Sequence, residues 1–321
     1  MTQSTKIWIA LVTVYILWGS TYLGIAVAGE TIPPLFAAST RFITAGALMA
    51  GVVKLRGGSL RIPLPALLTC AVVGCLLPGA NAVLFFAERK VPTGLASLLI
   101  ATVPLWLIVL RVVGRERLPW QLLAGVGLGF AGVAVLAQPS GGAKLSGIAL
   151  CVVSAVMWAA GSYISARAPM PRDPFAATSY EMLAGGFVML VPSIFTVHHF
   201  SPSAGSIGGW LYLVTFGSVI GYTAYVWLLA NAPLGLVSTY AYVNPVVAIT
   251  LGVLFRGEHL SWRLLIGAAV VVVAVAAVVR RDPAAAPPPD EGVVCRDASE
   301  ADVVRLDGDA GELAPRRSAQ G

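Results

Sequence analysis

The sequence predicts an all-α integral membrane protein in which ten transmembrane helices form two inverted five-helix repeats. Its composition, its long apolar segments and an internal repeat all lead to this fold class. Of the 321 residues, 57% are hydrophobic and 11% are charged, and the mean hydropathy is +0.83. Soluble domains carry about 25% charged residues. This chain has too few polar side chains to cover a soluble surface, and we expect lipid to surround it.

Ten segments are long and apolar enough to cross a membrane, since a transmembrane helix needs about 20 predominantly apolar residues. Short connections that contain glycine, proline or charge separate these segments. We therefore expect a helical bundle without a soluble domain. The expected helices cover approximately residues 7–27, 33–53, 65–87, 93–112, 119–137, 146–166, 174–197, 208–230, 234–255 and 262–280.

An internal repeat relates the two halves of the chain. The pattern Pro-x-Gly-Leu-x-Ser at 92–97 recurs at 233–238, and Glu-x-Leu-x-Trp at 116–120 recurs at 258–262. Tryptophan, proline, serine and glycine also recur in register, at the pairs 18/158, 34/174, 39/179 and 46/186. Because five spans is an odd number, the second copy enters the membrane from the opposite face. Inverted repeats of this kind are typical of transporters, whose substrate site lies near the midplane.

We divide the chain accordingly into a first repeat over residues 1–140, a second repeat over 145–281 and a tail over 282–321. The tail begins with proline and alanine and continues with mixed charges. It has too few large apolar side chains to fold alone, so we expect a disordered cytoplasmic extension.

The distribution of positive charge predicts the orientation. With the N-terminus inside, eleven lysine and arginine residues fall in cytoplasmic segments and five fall in outer loops. Cytoplasmic loops carry the excess of these residues. We therefore expect both termini in the cytoplasm and the protein in the inner (cytoplasmic) membrane.

Three stretches make a family recognisable. They are Trp18-Gly19-Ser20-Thr21-Tyr22, Glu181-Met182-Leu183-Ala184-Gly185-Gly186 and Ser238-Thr239-Tyr240-Ala241-Tyr242-Val243-Asn244-Pro245. On these residues the chain resembles the drug/metabolite transporter superfamily, specifically the bacterial EamA-type exporters, over residues 7–280. The resemblance implies the ten-helix inverted-repeat fold and an export carrier for amino acids or related metabolites.

Two charged residues lie well inside predicted spans. Arg41 and Glu181 each follow a helix-starting proline by seven residues, which places each roughly 10 Å deep. They are equivalent positions of the two repeats and approach from opposite faces, so a direct ion pair is not expected. Intramembrane charges usually face a cavity or a partner. We therefore take both as candidate substrate-binding or gating residues, although Arg41 could also extend toward the interface. Glu181 is the candidate for coupling to protons.

Two equivalent prolines, Pro104 and Pro245, lie inside the fourth and ninth predicted spans. Proline removes one backbone hydrogen bond, and in lipid this is tolerated only where the helix packs on protein or lines a cavity. We take both as candidate hinges. A static kink that only shapes the bundle is the alternative.

Aromatic and polar residues at membrane depth predict an aromatic-lined cavity with a few hydrogen-bonding groups. Such a cavity suits a small amphipathic metabolite. Aromatic residues near helix ends also form interfacial belts, and serine or asparagine also bonds neighbouring helices. The candidate lining residues are Trp18, Tyr22, Asn81, Trp158, Ser162, Tyr222, Tyr225, Tyr240, Tyr242 and Asn244.

The sequence thus favours a secondary transporter that works by alternating access, with a small molecule and the bilayer as its partners. A passive facilitator or channel for small solutes stays open, and an integral-membrane enzyme is the weakest alternative. The histidines lie near predicted span ends and form no metal motif, so we expect no catalytic residue, no metal and no cofactor. The basic excess belongs to cytoplasmic loops and predicts no nucleic-acid binding. The working unit is a monomer or a homodimer.

Overall fold

The computed structural model describes residues 1–136, 143–195, 197, 201–232, 234–237 and 239–281. Every regular element in these ranges is a helix. The predicted tail over 282–321 and the repeat residues Pro233 and Ser238 lie outside them.

Thirteen α-helices and one π-helical segment make up the described chain. In chain order they are α1 (Gln3–Ala28), α2 (Pro34–Leu55), α3 (Leu64–Glu88), α4 (Thr93–Ile100), α5 (Val103–Val113), α6 (Trp120–Leu136), α7 (Leu145–Ser165), α8 (Pro174–Ile194), α9 (Ala204–Tyr212), the π-helical segment Leu213–Ile220, α10 (Gly221–Asn231), α11 (Leu234–Val237), α12 (Tyr240–Arg256) and α13 (Trp262–Arg281).

Among the described residues, seven helical segments are long and apolar enough to span a membrane. Five are single helices, namely α1, α2, α3, α7 and α8, and two combine neighbouring helices over Thr93–Val113 and Ala204–Leu229. Three shorter apolar helices cover Trp120–Leu136, Tyr240–Arg256 and Leu264–Arg280. The described part of the chain is therefore all-helical, with helices of the length and apolar composition of a membrane protein.

Local sequence signals set the helix starts. The side chain of Thr2 accepts a hydrogen bond from the amide of Thr5 at the start of α1, and the carboxylate of Asp173 does the same for Phe175 at the start of α8. These bonds satisfy amides that have no partner within the helix. Pro34 and Pro174 open α2 and α8, where proline has no amide hydrogen to lose and its fixed φ fits the helix.

Helices α2 and α8 meet through a reciprocal contact. A methyl group at Gly46 would lie 2.9 Å from Cγ of Leu183, and one at Gly186 would lie 2.8 Å from Cγ1 of Ile43. The alignment of the two repeats pairs Gly46 with Gly186 and Ile43 with Leu183. Under this alignment, the contact of Gly46 with Leu183 corresponds to the contact of Gly186 with Ile43. The residue numbers rise along one helix as they fall along the other, so the two helices are antiparallel. Such an exchange of contacts is what a two-fold axis between α2 and α8 produces.

Helices α6 and α13 repeat this arrangement later in each half. A methyl group at Gly125 would lie 2.8 Å from Cγ2 of Val278, and one at Gly267 would lie 2.6 Å from Cγ of Leu136. The register that pairs Gly125 with Gly267 also pairs Leu136 with Val278. Small residues allow the two backbones to approach closely, as is common between membrane helices. The exchange again relates two antiparallel helices by a local two-fold axis.

The two candidate hinge prolines have different surroundings. Helix α4 ends at Ile100 and Pro104 lies in the first turn of α5, so this proline follows a break in the helix. In the second half, α11 ends at Val237 and Pro245 lies inside the continuous helix α12. The equivalent helices therefore break at different points.

Candidate substrate cavity

A cavity of about 130 Å³ lies among helices that belong to both halves of the chain. This volume is below the roughly 300–1,000 Å³ of typical ligand pockets, so it suits a small solute. The lining residues are Trp18, Thr21, Tyr22, Arg41, Asn81, Leu84, Ser97, Ile100, Ala101, Val103, Pro104, Ser154, Trp158, Gly217, Tyr222, Tyr240, Ala241 and Asn244.

Equivalent residues of the two repeats face this cavity together. Trp18 and Trp158 both line it and occupy the same position of the two repeats. Val103 and Asn244, which directly precede the equivalent prolines Pro104 and Pro245, both line it as well. The cavity therefore lies where the two halves meet.

An aromatic cluster around Trp18 forms one wall. Its ring centroid lies 5.4 Å from that of Tyr222 and 5.1 Å from that of Tyr240, both in edge-to-face geometry. Tyr225 lies behind these residues, at 4.8 Å from Trp18 and 5.8 Å from Tyr240. Packing of this kind fixes the orientation of the rings.

The π-helical segment holds two polar contacts at the cavity wall. The indole Nε1 of Trp18 donates a hydrogen bond of 3.3 Å to the carbonyl of Gly217. The Nε of Arg41 donates one of 3.1 Å to Oγ of Ser218. π-Helical segments are rare in proteins, and those that occur are often found at functional sites. Here the segment orients a tryptophan and an arginine.

Arg41 is buried, with 3% of its surface exposed. Within the described residues its guanidinium has no ion pair, and its Nη1 is buried without a hydrogen-bond partner. Asn244 is 8% exposed, and its Oδ1 also lacks a partner there. Buried polar groups are normally hydrogen-bonded, so these two atoms are exceptional.

Three other polar side chains of the lining donate hydrogen bonds to backbone carbonyls. Oγ of Ser154 donates to the carbonyl of Ala80 at 2.7 Å, and Oγ of Ser97 donates to that of Gly94 at 2.8 Å. The amide of Asn81 donates to the carbonyl of Leu77 in its own helix, at 3.3 Å.

Most of the residues proposed from the sequence lie together at the cavity. Nine of them line it, namely Trp18, Tyr22, Arg41, Asn81, Pro104, Trp158, Tyr222, Tyr240 and Asn244. The remaining five, Ser162, Glu181, Tyr225, Tyr242 and Pro245, are not among the lining residues. Glu181 lies on α8 where that helix meets α3, and a methyl group at Gly74 would clash with its carbonyl oxygen.

Sequence reasoning missed several polar positions. Thr21, Ser97 and Ser154 line the cavity, and Ser218 holds Arg41. Ser97 was recognisable because it belongs to a repeated motif, whereas Ser154 and Ser218 have no such signal. Glu88, at the end of α3, was also missed, and both of its carboxylate oxygens are buried without a hydrogen-bond partner in the described chain.

At one end of the bundle a carboxylate joins the two halves. Glu258 accepts hydrogen bonds from the backbone amides of Thr93, at 2.7 Å, and Gly94, at 3.1 Å. These amides start α4, which has no side-chain cap of its own. Nearby, Arg256 forms an ion pair of 2.8 Å with Glu30.

The equivalent carboxylate in the first repeat has different partners. Glu116 pairs with Arg111, at 2.6 Å, and with Arg167. Hydrogen bonding to Arg111, followed by the contact with Arg167, holds the pKa of Glu116 below its usual value. The two repeats therefore differ in how this carboxylate is used.

An apolar helical bundle with a partly polar cavity between two related halves is typical of membrane transporters. The EamA-like transporter family matches the chain twice, over residues 5–138 and over residues 145–280. The chain belongs to this family.

Two relatives support the same class. The inner membrane transporter YedA of Escherichia coli strain K12 is 38% identical over 264 residues, which cover 78% of this chain and 83% of YedA. The probable terminal-alkyne amino-acid exporter of Streptantibioticus cattleyicolor is 28% identical over 280 residues, with 84% of this chain and 91% of the exporter covered. The family and these names indicate a membrane-embedded transporter of small molecules rather than an enzyme.

A crystal structure with 22% sequence identity covers 87% of this chain and 98% of its own, with a TM-score of 0.61. At this identity the match shows a shared fold.

Proposed function

We propose that the protein is a secondary transporter that exports amino acids or related small amphipathic metabolites across the inner membrane by alternating access. The position of the cavity carries this proposal. It lies where the two halves meet and is lined by equivalent residues of both, such as Trp18 and Trp158. In inverted-repeat transporters the substrate site has this position, and rocking of the halves exposes it to each side in turn.

The ten-span topology belongs to the same proposal. The seven long segments and the three shorter apolar helices together number ten, in positions close to those expected from the sequence. The reciprocal contacts of α2 with α8 and of α6 with α13 support an inverted relation between a first repeat over 1–140 and a second over 145–281. The positive-charge distribution supports cytoplasmic termini.

Two differences between the repeats support a transport cycle. Glu258 caps α4 across the two halves, whereas Glu116 is held by arginines. The helix break also precedes Pro104 closely but lies farther from Pro245. We assign Pro104 and Pro245 as hinges. When the two prolines exchange their local helix geometries, the cavity opens at one end and closes at the other. A symmetric pair of repeats can reach both states because each half can adopt the geometry of the other.

The cavity-lining candidates contact the substrate in this scheme. Tyr225 supports the lining through its ring contacts with Trp18 and Tyr240. We keep Ser162 and Tyr242 as candidate substrate contacts and assign Glu181 to coupling with protons. A carboxylate within the membrane is costly, and the carboxylates that are retained there usually belong to ion or proton pathways.

Metabolite export tests the proposal. Cells that overexpress the wild-type protein are compared with cells that express the Trp158→Ala, Asn244→Ala variant at equal membrane level, and metabolites inside and outside are measured. We expect one metabolite class to accumulate selectively outside the wild-type cells. Equal metabolite profiles would contradict export through this cavity.

Counterflow separates a carrier from a passive facilitator. Liposomes that contain the purified protein are preloaded with the exported metabolite, and uptake of labelled metabolite is followed. A carrier accelerates this exchange, because the loaded site returns faster than the empty one. Absence of acceleration, with rapid net flux, would favour a facilitator or channel.

A further inference from the structure

We propose that the cavity selects its substrate by charge. The guanidinium of Arg41 binds a carboxylate, and the amide oxygen of Asn244 accepts a hydrogen bond from an N–H or O–H group beside that carboxylate. The substrate class is then a small monocarboxylate with an adjacent donor, which amino acids and 2-hydroxy acids share, and amines and cationic drugs are rejected. This inference rests on the proposed transport function and specifies its substrate.

The charge of the cavity is one-sided. Among the described residues, Arg41 is the single charged one that lines the cavity, and no carboxylate pairs with it. Its equivalent in the second repeat, Glu181, lies outside the lining. An anionic group therefore finds a counter-charge in the cavity, whereas a cation meets a like charge in a medium of low dielectric constant.

The guanidinium is held in place but only partly satisfied. Its Nε donates to Ser218, which fixes the plane of the group, while Nη1 is buried with no partner in the described residues. An arginine presents its donors in a fixed fork that matches a carboxylate with two parallel hydrogen bonds. A carboxylate that enters the cavity supplies the acceptors that the protein does not.

The amide of Asn244 sets the second requirement. Its Oδ1 is a buried acceptor without a donor in the described chain, and leaving such an atom unpaired is unfavourable. An ammonium or hydroxyl next to the substrate carboxylate supplies this donor. Discrimination by a buried hydrogen-bonding group is strong, because the analogue without the donor leaves the group unpaired.

Size and surroundings limit the rest of the substrate. The cavity of about 130 Å³ admits a small side chain, and Trp18, Tyr222 and Trp158 provide it with an apolar wall. Phosphate shares the affinity of carboxylate for a guanidinium. Inorganic phosphate is therefore tested as a separate ligand.

Calorimetry with matched ligands tests charge selection. The purified full-length protein is titrated with valine, 2-hydroxy-3-methylbutanoate, 3-methylbutanoate, isobutylamine and inorganic phosphate, and in parallel with phenylalanine, 3-phenyllactate, 3-phenylpropanoate and 2-phenylethylamine. We expect at least one of the two series to bind, with the amino and hydroxy acids at least about tenfold tighter than the amine. The acid that lacks the donor should bind more weakly than either, and phosphate more weakly still.

Three variants assign the selection to residues. Arg41→Gln should weaken binding of the acids at least about tenfold, and Arg41→Lys should restore part of the loss because it retains the charge. Arg61→Gln removes an exposed positive charge from the α2–α3 loop and should leave binding unchanged. Asn244→Leu should abolish the preference for acids that carry the donor. The elution profile and the unfolding temperature of each variant verify that it is folded.

Several outcomes would overturn the inference. The first is that the amines bind as tightly as the acids or more tightly, and the second is that phosphate binds more tightly than every acid. The third is that Arg41→Gln binds the acids as well as Arg61→Gln does. The fourth is that neither series binds at 10 mM, which is about ten times a dissociation constant of 1 mM. Failure of the transport proposal looks different. If the acids bind as expected but no metabolite is exported, the site stands and the transport function fails. If a metabolite is exported equally by wild-type and Arg41→Gln protein, transport stands and charge selection by Arg41 fails.

Discussion

Arg115 lies in the left-handed region of the backbone map, with φ of 62°, although it is not glycine. No other non-glycine residue of the described chain has a positive φ. Its equivalent in the second repeat, directly before the repeated glutamate Glu258, is Gly257, with φ of 64°. The second repeat therefore uses glycine at a turn where the first repeat uses arginine. A residue with a Cβ atom adopts this conformation at a cost of roughly 1–2 kcal/mol.

Replacement of this arginine should stabilise the protein. We expect Arg115→Gly to raise the free energy of unfolding by about 0.5–1 kcal/mol, because the gain in backbone conformation exceeds the entropy that glycine adds to the unfolded chain. The measurement is the midpoint of thermal unfolding in detergent. Gly257→Ala is the matched control and should lower the midpoint. An unchanged or lower midpoint for Arg115→Gly would show that the exposed arginine side chain outweighs the strain.

Residue type and repeat register located much of the candidate site. Trp18, Trp158 and Asn244 were recognisable as aromatic or polar groups at membrane depth in repeated positions, and all three line the cavity. Ser218 was not recognisable, because its role depends on the π-helical segment, and serine inside an apolar span more often bonds within its own helix. For Glu181 the sequence indicated the position but not the environment of the side chain. Its depth followed from the distance to Pro174, but the direction of its side chain depends on the packing of α8 against α3.

At the scale of elements, the cap of α4 comes from the other half of the chain. Pro92 precedes α4 and offers no side-chain acceptor, so the amides of Thr93 and Gly94 depend on the carboxylate of Glu258. A carboxylate at a helix N-terminus satisfies free amides and interacts favourably with the helix dipole. The sequence showed Glu258 as a repeated helix-start residue next to α13. Its partners in the other half of the chain emerged only from the packing of α12 against α4.

Loss of this cap should open the start of α4. We expect Glu258→Ala to lower the free energy of unfolding by about 1–2 kcal/mol, as loss of a capping side chain does. Hydrogen–deuterium exchange at the amides of Thr93 and Gly94 should accelerate, because their acceptor is gone. Glu30→Ala, which breaks only the exposed ion pair with Arg256, is the control and should cost about 0–1 kcal/mol. Unchanged exchange at Thr93 and Gly94 would show that another group caps α4.

Helix boundaries were predictable where proline or capping residues mark them and less so within spans. The starts of α2 and α8 at Pro34 and Pro174 match the expected positions closely. The span expected over 93–112 contains two helices, α4 and α5, because the chain turns at Ala101 and Thr102 ahead of Pro104. The π-helical segment was not predicted, since a wider helical turn changes hydrogen bonding without changing the apolar character of the residues.

At the scale of the molecule, the repeat is visible in both sequence and contacts. The contacts of Gly46 with Leu183 and of Gly186 with Ile43 exchange under the register that relates the repeats. The cavity lies between the same halves. A repeated sequence alone allows either a parallel or an inverted arrangement. The antiparallel contact of α2 with α8 favours the inverted arrangement that we propose.

Equivalent positions should then lie on opposite faces of the membrane. Arg117 and His259 occupy the same place in the two repeats and are both exposed. The natural cysteines, Cys70, Cys75, Cys151 and Cys295, are first replaced by serine. Arg117→Cys and His259→Cys are then made singly, and intact cells are treated with a membrane-impermeant maleimide. We expect labelling of the cysteine at 259 in intact cells, and labelling of the one at 117 only after permeabilisation, because the positive-charge distribution places the latter in the cytoplasm.

The pattern of labelling separates the two parts of this prediction. Labelling at 117 alone in intact cells would preserve the inverted repeat but reverse the orientation of the whole protein. Labelling at both positions in intact cells, or at neither, would place the two equivalent turns on one face. That result requires an even number of spans between them, which contradicts the five-helix unit and, with it, the midplane position of the cavity.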